Sequence, residues 1–402
     1  MSLIRSCIFA LFLIFLMFLG KSCKNVPEQK ISFIPMELPS GNYSVFPNLL
    51  SNQSKLLLSW VDEHEEGTDK LMYSEWENGA WSVPQIMAQG SNWFINWADF
   101  PGMGVNASGD KFAHYLARSA EGTYDYDVRL VWQKNGEAQW SEMGKPYQDT
   151  TKGEHGFVSM FPAPDNQLGV VWLDGRKYVT KKEEMMLMFS LVDAEGNVTA
   201  EKPLDERVCD CCQTDAVSSE DRTIVVYRNR TENEIRDIYR VIYEDGKWSE
   251  PAPVGDDQWN ISGCPVNGPA IDARGNHVVV AWFTNAGDSA RVKLAFSENG
   301  GESFGPPMQL DLGNPLGRID VKLDETGNAW ISWMENVEKE AQIFLRKIDK
   351  NGFISDAFSV SAINEHRASG FPRMAILEGD LYLVWTKSGE PSSLEMVKAK
   401  NH

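Results

Sequence analysis

An apolar segment recurs seven times along the chain at nearly constant spacing, and this repeat constrains the fold more than any other feature. The segments read KLLLSW, KFAHYL, LGVVW, TIVVY, VVVAW, AWISW and LYLVW, and they end at Trp60, Leu116, Trp172, Tyr227, Trp282, Trp333 and Trp385. A short strand-like segment precedes each one, and a polar loop, another strand and, in most repeats, a Gly-containing turn with a last strand follow. This order predicts a four-stranded antiparallel meander in every repeat.

Repeated meanders of this length predict an all-β fold of the β-propeller type. Each blade covers its faces only against neighbouring blades, so the ring has to close. The seventh repeat has only three strands and ends with SLEMVKAK, whereas the segment at Ile31–Leu38 precedes the first repeat without a blade of its own. We therefore predict seven blades in a single domain, 31–402, with the N-terminal strand completing the last blade. A six-bladed ring with an extra hairpin group is the alternative.

The N-terminus has the pattern of an export signal. Arg5 precedes an apolar stretch at Ile8–Gly20, which is too short to span a bilayer as a helix, and Cys23 follows the small residue Ser22. We predict a signal peptide at 1–22, a lipid-modified Cys23 and a short linker at 23–30. This predicts a periplasmic or outer-membrane lipoprotein of a bacterium, in contact with the membrane only through its lipid. An ordinary secretory leader, which also exports the chain, is the alternative.

The charge balance limits the classes of partner. The formal net charge is −19, with 57 acidic and 38 basic residues, and there is no basic run. Nucleic acid binding needs Lys and Arg set against phosphates, so we exclude nucleic acid as a partner and expect a monomer.

One turn carries a family resemblance. The segment SENGGESF at Ser297–Phe304 matches the Asp-box pattern, and YSEWENGAW and YEDGKW are weaker versions of it. The chain therefore resembles the sialidase-like (BNR or Asp-box) propellers over nearly all of its mature length. The resemblance implies a stabilising turn between the third and fourth strands of a blade. It also implies a glycan or other acidic ligand, and exo-glycosidase activity of the sialidase type.

Strand alternation places the chemically distinctive loops on one face, which we call the functional face. It contains the loops before first strands and those between second and third strands of the blades. Four cysteines lie in these loops, at Cys209, Cys211, Cys212 and Cys264. In an exported protein they favour disulfides, with Cys212 and Cys264 as the expected pair. A Zn or Cu(I) site, with His155 or His366 nearby, and reactive free thiols are the alternatives.

Arginines are the second group on this face. The candidates for an acidic ligand are Arg228, Arg230, Arg236, Arg318, Arg367 and Arg373, together with Asn267. Guanidinium groups bind carboxylates through two parallel hydrogen bonds, and the resemblance implies that three arginines hold a sugar acid in this way. Structural pairing with neighbouring carboxylates is the alternative for each arginine.

Acid and base candidates complete the predicted site. Asp99 and Asp320 are the expected proton donors, with Asp215 and Asp237 behind them. The resemblance implies a Tyr–Glu nucleophile, for which Tyr43 lies on the correct face, although no Tyr–Glu pair is evident and GNYSVFPNL replaces the Arg-Ile-Pro segment. Trp93, Trp97 and Trp259 either stack on sugar rings or pack between blades.

The sequence therefore predicts an exported sialidase-like propeller that binds or cleaves a glycan or another acidic ligand and requires no cofactor. The alternative is a non-catalytic surface propeller that binds a protein, or a metal at its cysteines.

Overall fold

The fold is a ring of seven antiparallel sheets, as predicted. A computed structural model of the chain describes residues 31–52, 54–63 and 67–401. The first strands of successive blades are neighbours around the ring, and those of blades 7 and 1 also meet. The predicted signal peptide, Cys23 and the linker lie outside the described residues.

The first three blades follow β1 (Ile31–Met36). Blade 1 contains β2 (Ser44–Asn52), β3 (Lys55–Asp62), β4 (Asp69–Glu77), β5 (Ala80–Trp81) and β6 (Gln85–Gly90). Blade 2 contains β7 (Met103–Val105), β8 (Lys111–Arg118), β9 (Tyr126–Gln133) and β10 (Ser141–Gly144). Blade 3 contains β11 (His155–Ala163), β12 (Gln167–Asp174), β13 (Met186–Val192) and β14 (Val198–Asp205).

The remaining four blades repeat this arrangement. Blade 4 contains β15 (Asp215–Ser219), β16 (Arg222–Arg228), β17 (Ile238–Glu244), β18 (Lys247–Trp248) and β19 (Ala252–Pro253). Blade 5 contains β20 (Ala270–Arg274), β21 (His277–Thr284), β22 (Arg291–Ser297) and β23 (Met308–Gln309). Blade 6 contains β24 (Pro315–Leu323), β25 (Ala329–Val337), β26 (Glu340–Ile348) and β27 (Phe358–Ile363). Blade 7 contains β28 (Arg373–Leu377), β29 (Asp380–Lys387) and β30 (Ser393–Asn401).

The N-terminal strand closes the ring. β1 pairs with β30 in antiparallel register from Ile31 opposite Asn401 to Met36 opposite Met396, and so provides the fourth strand of blade 7. Ile31 and Phe33 also pack against the apolar cluster between blades 6 and 7. The predicted N-terminal closure is confirmed.

Helical segments are few. Among the residues that the structure describes, a single α-helix, α1 (Arg176–Lys181), lies between β12 and β13, and the 3₁₀ turns are Pro164–Asn166, Ala286–Asp288 and Arg367–Ser369. Within the described ranges, no helix is long and apolar enough to cross a membrane.

The second strand of each blade is apolar along nearly its whole length. This follows because each blade is covered on both faces by neighbouring blades, so both faces of the strand are buried. Several of these strands end in a Trp whose indole N–H donates to a carboxylate two residues later, on the same side of the strand. These pairs are Trp60–Asp62, Trp172–Asp174 and Trp333–Glu335, with distances of 2.6 to 2.7 Å. The carboxylate satisfies an indole N–H that burial would otherwise leave without a partner.

Aspartates on the first strands connect neighbouring blades. In three successive blades an Asp carboxylate accepts a hydrogen bond from a backbone N–H of the next blade's first strand. Asp215 accepts from Ile271, Asp272 from Leu323, and Asp320 from Met374, at 2.6 to 2.9 Å. These bonds fix the first strands around the axis, and therefore the loops that leave them.

The predicted stabilising turn is present in blade 5. Asn299 Oδ1 accepts hydrogen bonds from the Ser297 hydroxyl and the Ser303 amide, at 2.8 and 3.0 Å, and Gly301 donates its amide to Ser297 Oγ. The turn joins β22 to the segment before β23. Its side chains form hydrogen bonds with other groups of the same turn.

Candidate functional site

Two carboxyl groups and a tyrosine meet on the functional face between blades 2 and 3. The Tyr126 hydroxyl lies 2.8 Å from Asp99 Oδ2 and 2.9 Å from Glu154 Oε1. The other Asp99 oxygen accepts the Phe157 amide at 2.8 Å. We call Asp99, Tyr126 and Glu154 the carboxyl–tyrosine cluster. Asp99 and Tyr126 are buried, whereas Glu154 is partly exposed, so Glu154 is the member that a ligand can reach.

The repeat brings these residues together. Tyr126 is the first residue of β9 and Glu154 directly precedes β11, and the two form a parallel bridge between adjacent blades. Asp99 approaches the backbone at Gly156, where an added Cβ would lie only 1.9 Å from its carboxylate oxygen. Phe94 stacks on the Tyr126 ring with 4.0 Å between centroids and keeps water from its buried side. A glycine and an aromatic neighbour therefore shape the cluster.

The geometry requires a shared proton. A hydroxyl donates only one hydrogen bond, yet the Tyr126 oxygen contacts two carboxyl groups, so a second proton is needed to make both contacts favourable. Burial raises the pKa of Asp99 to about 7, although the Phe157 amide and Tyr126 oppose the shift. Burial, with Asp99, Asp210 and Cys264 nearby, raises the pKa of Glu154 to about 8. At neutral pH the cluster therefore holds an acidic proton, and Glu154 is its accessible carrier.

This shift predicts a loss of stability as pH rises. Because the pKa of Glu154 is higher in the folded than in the unfolded chain, the folded protein binds more protons between about pH 4.5 and 8. Its stabilising contribution is complete below the unfolded pKa and is lost as pH rises through the folded pKa. In urea unfolding at pH 5.5, 7 and 8.5, we expect Glu154→Gln to flatten this dependence by about 2 kcal/mol. The exposed Glu121→Gln variant is the control, and equal slopes in both variants and the wild type would contradict the assignment.

Exposed aromatic rings flank the carboxyl–tyrosine cluster. Tyr124 is 58% exposed and meets the edge of Phe94, and Tyr178 is 61% exposed in α1. The helix is connected to the site because the Gly175 amide, just before it, donates to the Glu154 carbonyl at 2.8 Å. Exposed aromatic rings with a polar tip provide flat surfaces on which a ligand ring can stack.

The predicted tryptophans have different environments. Trp93 is buried against Tyr115, with 4.5 Å between ring centroids, and Trp259 is buried beneath Arg228. Both pack within the protein. Trp97 is partly buried between Phe371, Arg318 and Arg367.

The structure places four of the six predicted arginines in contact with protein acceptors. Arg318 is buried and donates to the carbonyls of Glu365, His366 and Gly370 at 3.0 to 3.2 Å, so it holds the loop before β28. Arg228 is likewise buried and donates only to backbone carbonyls.

Two further arginines form ion pairs. Arg230 binds Asp210 and Glu234, and Arg236 binds Glu234 and Cys209. Of the other two, Arg367 is exposed, and Arg373 lies over Phe100 with no partner for its Nε among the described residues. A ligand role for these arginines stays a prediction.

The other predicted site residues lie apart from the carboxyl–tyrosine cluster. Asn267 is buried and joins blade 5 to blade 6, since its side chain accepts the Arg318 amide and donates to the Leu316 carbonyl. Asp320 accepts from Met374, Val321 and Lys322 and serves the contact between blades. Tyr43 is 38% exposed, directly before β2. Their assigned roles in catalysis and binding stay predictions.

A cavity of about 450 Å³ follows the axis of the ring and is lined by first strands of all seven blades. Its charged lining consists of Asp215, Asp272, Arg274, Asp320, Lys322 and Arg373. All three of these aspartates accept the hydrogen bonds that connect neighbouring blades.

The expected disulfide is not formed. All four cysteines that the structure describes carry free thiols, which corrects the predicted Cys212–Cys264 bridge. The sulfur that lies 3.6 Å from Cys212 Sγ belongs to Cys209, whereas Cys264 lies beside Cys211. The repeat placed Cys212 and Cys264 at equivalent entrances of adjacent blades, and it correctly predicted that their segments lie close together. It did not determine which of the thiols are in contact.

Neither histidine belongs to the cysteine group. The group with metal-binding spacing consists of Cys209, Cys211 and Cys212. His155 is buried, with Nδ1 near the carbonyls of Tyr126 and Gly153, and His366 is exposed. A metal role for either imidazole stays a prediction.

Sequence reasoning missed Tyr126 and Glu154. They are 28 positions apart, so no local motif contains both. The available signal was the repeat itself, because both residues lie at strand starts on the functional face of adjacent blades.

Comparisons with known proteins support the fold. No protein-family model and no curated protein matches the chain. Among solved structures it is similar to a protein of unknown function from Dyadobacter fermentans, with 10% identity, coverage of 94% of this chain and 100% of that one, and a TM-score of 0.52. It is also similar to a PL25 polysaccharide lyase, an ulvan lyase, with 9% identity, coverage of 92% and 93%, and a TM-score of 0.56.

The NanB sialidase of Streptococcus pneumoniae is a third similar structure, with 11% identity, coverage of 92% of this chain and 70% of that one, and a TM-score of 0.46. At such identities the likenesses to the Dyadobacter fermentans protein and the ulvan lyase show the fold alone.

Proposed function

We propose that the chain is an exported glycan-active propeller in which Glu154 donates a proton to the glycosidic oxygen of a bound glycan. The observation that carries the proposal is the single Tyr126 hydroxyl between two carboxyl groups. An acid that is still protonated at neutral pH suits general-acid cleavage, which contributes about 10²- to 10⁴-fold to rate. Asp99, one of the two proton donors expected from the sequence, has the supporting role because it is buried and bound to the Tyr126 hydroxyl.

The remaining support comes from the surroundings and from the fold. Tyr124, whose ring contacts Phe94, and Tyr178, in the helix that follows Gly175, offer exposed rings on which a sugar can stack. Similar solved propellers include an ulvan lyase and a second polysaccharide lyase, and the analogy is one of fold. Export, and lipid attachment at Cys23, belong to the same proposal and rest on the N-terminal sequence.

The test is cleavage of a glycan panel by the purified full-length protein. The panel contains sialosides, uronate-containing polysaccharides and neutral glycans, and products are detected by mass spectrometry at pH 6 to 7. We expect at least one glycan to be cleaved and Glu154→Gln to lower kcat by about 10²- to 10⁴-fold. Tyr126→Phe, which removes one hydroxyl, is also expected to lower kcat.

The control is Glu121→Gln, an exposed glutamate that takes part in none of the described hydrogen bonds of the cluster. Arg318→Ala would not serve as a test of ligand binding by the predicted arginines. Loss of the three hydrogen bonds from Arg318 to backbone carbonyls would disturb the loop before β28. Cleavage at the wild-type rate by folded Glu154→Gln would contradict the assignment of the acid. If the folded wild-type protein neither bound nor cleaved any glycan of the panel, this result would contradict the proposed function.

A further inference from the structure

Three thiols converge at the entrance to blade 4. The ligand atoms of Cys209, Cys211 and Cys212 all lie within 4.8 Å of one another, and Cys264 from the entrance to blade 5 lies beside Cys211. We call these four residues the thiol cluster. Cys209 and Cys212 are buried, Cys211 is partly buried and Cys264 is exposed, so an ion can enter from the side of Cys264.

The spacing of the sulfurs suits a shared cation. Cys209 Sγ and Cys212 Sγ are 3.6 Å apart. Two thiolates bound to one tetrahedral Zn²⁺ at about 2.3 Å lie about 3.8 Å from each other, whereas a disulfide requires about 2.05 Å. Binding a cation therefore needs small side-chain adjustments, without a rearrangement of the backbone.

The backbone around the thiols is held in place. The Cys209 amide donates to the Arg228 carbonyl at 3.0 Å, and the Arg228 guanidinium donates to carbonyls of Arg236, Asn267 and Phe283. Arg228 thereby ties the cysteine loop of blade 4 to the segment of blade 5 that follows Cys264. Such pre-organisation lowers the cost of ordering ligands on binding.

A charged second layer surrounds the sulfurs. Arg236 Nη1 lies 3.4 Å from Cys209 Sγ, as a donor, and Glu234 holds Arg236 through its other nitrogens at 2.8 and 3.1 Å. Groups that hydrogen-bond to ligand atoms orient them and tune the metal, and a guanidinium offsets the negative charge of several thiolates. Neither the axial cavity nor the carboxyl–tyrosine cluster has this soft-ligand chemistry.

We propose that the thiol cluster binds one thiophilic d¹⁰ cation, Cu(I) or Zn²⁺, through Cys209, Cys211 and Cys212, with Cys264 as the fourth ligand. Sulfur ligands select these ions over Mg²⁺ and Ca²⁺, which prefer oxygen. The site connects blades 4 and 5 where the disulfide was expected. The inference goes beyond the proposed glycan activity and does not depend on it.

The test uses full-length protein that has been stripped of metal under reducing, oxygen-free conditions. Zn²⁺ and Cu(I) are added in separate arms, and retained metal is measured after desalting together with the number of thiols that react with a chromogenic reagent. We expect about one ion per chain in at least one arm, and protection of the cluster thiols in that arm. The arm that retains metal against a competing chelator of known affinity identifies the ion.

Variants distinguish the residues that bind the ion from those that only lie near it. Cys211→Ser, at the partly buried thiol, is expected to abolish stoichiometric retention, and Cys264→Ser to weaken affinity while leaving binding measurable. Arg236→Gln is expected to weaken affinity by about 10- to 100-fold, as for other groups that orient ligands. His366→Ala, an exposed imidazole on the same face, is the control and should retain metal like the wild type.

Circular dichroism of each variant establishes that its fold is intact. Failure of folded wild-type protein to retain either ion would overturn the proposal. So would a disulfide among these four cysteines, found by mass spectrometry of the protein as isolated. Glycan cleavage is assayed separately with metal-free protein, so failure of the two proposals can be told apart.

Discussion

Removing Ile31–Met36 is expected to abolish cooperative folding of the propeller. Deletion exposes the edge of β30 from Met396 to Asn401 and leaves blade 7 with three strands. It also removes Phe33 from the cluster between blades 6 and 7 and Met36 from the cluster between blades 7 and 1. Domain stability is only about 5–15 kcal/mol, so losing one strand's pairing and two contacts with neighbouring blades exceeds what the ring tolerates.

Thermal unfolding followed by circular dichroism and tryptophan fluorescence measures this effect. The matched control is Ile34→Ala in the same strand, because Ile34 is 42% exposed and its truncation should change stability little. A synthetic peptide of Ile31–Leu38 added to the deleted protein should restore part of the transition by pairing with β30. A deleted protein that unfolds cooperatively at the wild-type Tm would show that the ring does not need this strand.

Replacing Glu335 by Ala is expected to destabilise the protein by about 3–5 kcal/mol. Glu335 is 1% exposed, and its carboxylate accepts the Trp333 indole N–H at 2.6 Å and the amides of Leu312 and Asn314. Alanine would leave these three donors without their acceptor in an apolar interior. Each buried donor without a partner costs about 1–3 kcal/mol, which is the source of the large effect.

Urea unfolding gives the free energy directly. Glu340→Ala, an exposed glutamate at the start of β26, is the matched control and should change stability by less than about 0.5 kcal/mol. Glu335→Gln should fall between the two, since its amide keeps one acceptor oxygen but turns an NH₂ group towards the remaining donors. If Glu335→Ala were as stable as Glu340→Ala, the carboxylate would not hold these donors.

The architecture was predictable because it is repetitive. Each blade carries its own apolar strand, and the unpaired segment at Ile31–Leu38 together with the three-stranded last repeat indicates how the ring closes. The turn at Ser297–Phe304 was predictable for a related reason, since its hydrogen bonds are made within the turn.

The site was less predictable because its contacts cross between blades. Asp99 was singled out by its loop, but its partners Tyr126 and Glu154 come from two other segments. The arginines were identified as a group from residue type alone. Whether a guanidinium faces solvent or binds a carbonyl, as Arg318 does, depends on backbone positions that no local pattern encodes.

The cysteines show the same limit. Their segments were correctly brought together by the repeat, but the pairing was wrong because it depends on side-chain directions within a short irregular loop.

Glu154 is expected to keep a proton at neutral pH beside Tyr126. The most direct measurement is an NMR titration of the protein with ¹³C-labelled glutamate carboxyl groups, in which Glu154→Gln identifies the Glu154 resonance. The account predicts that this resonance titrates with a pKa near 8. A midpoint near the ordinary value of 4.5 would mean that Glu154 is ionised at neutral pH, and would contradict its assignment as the acid.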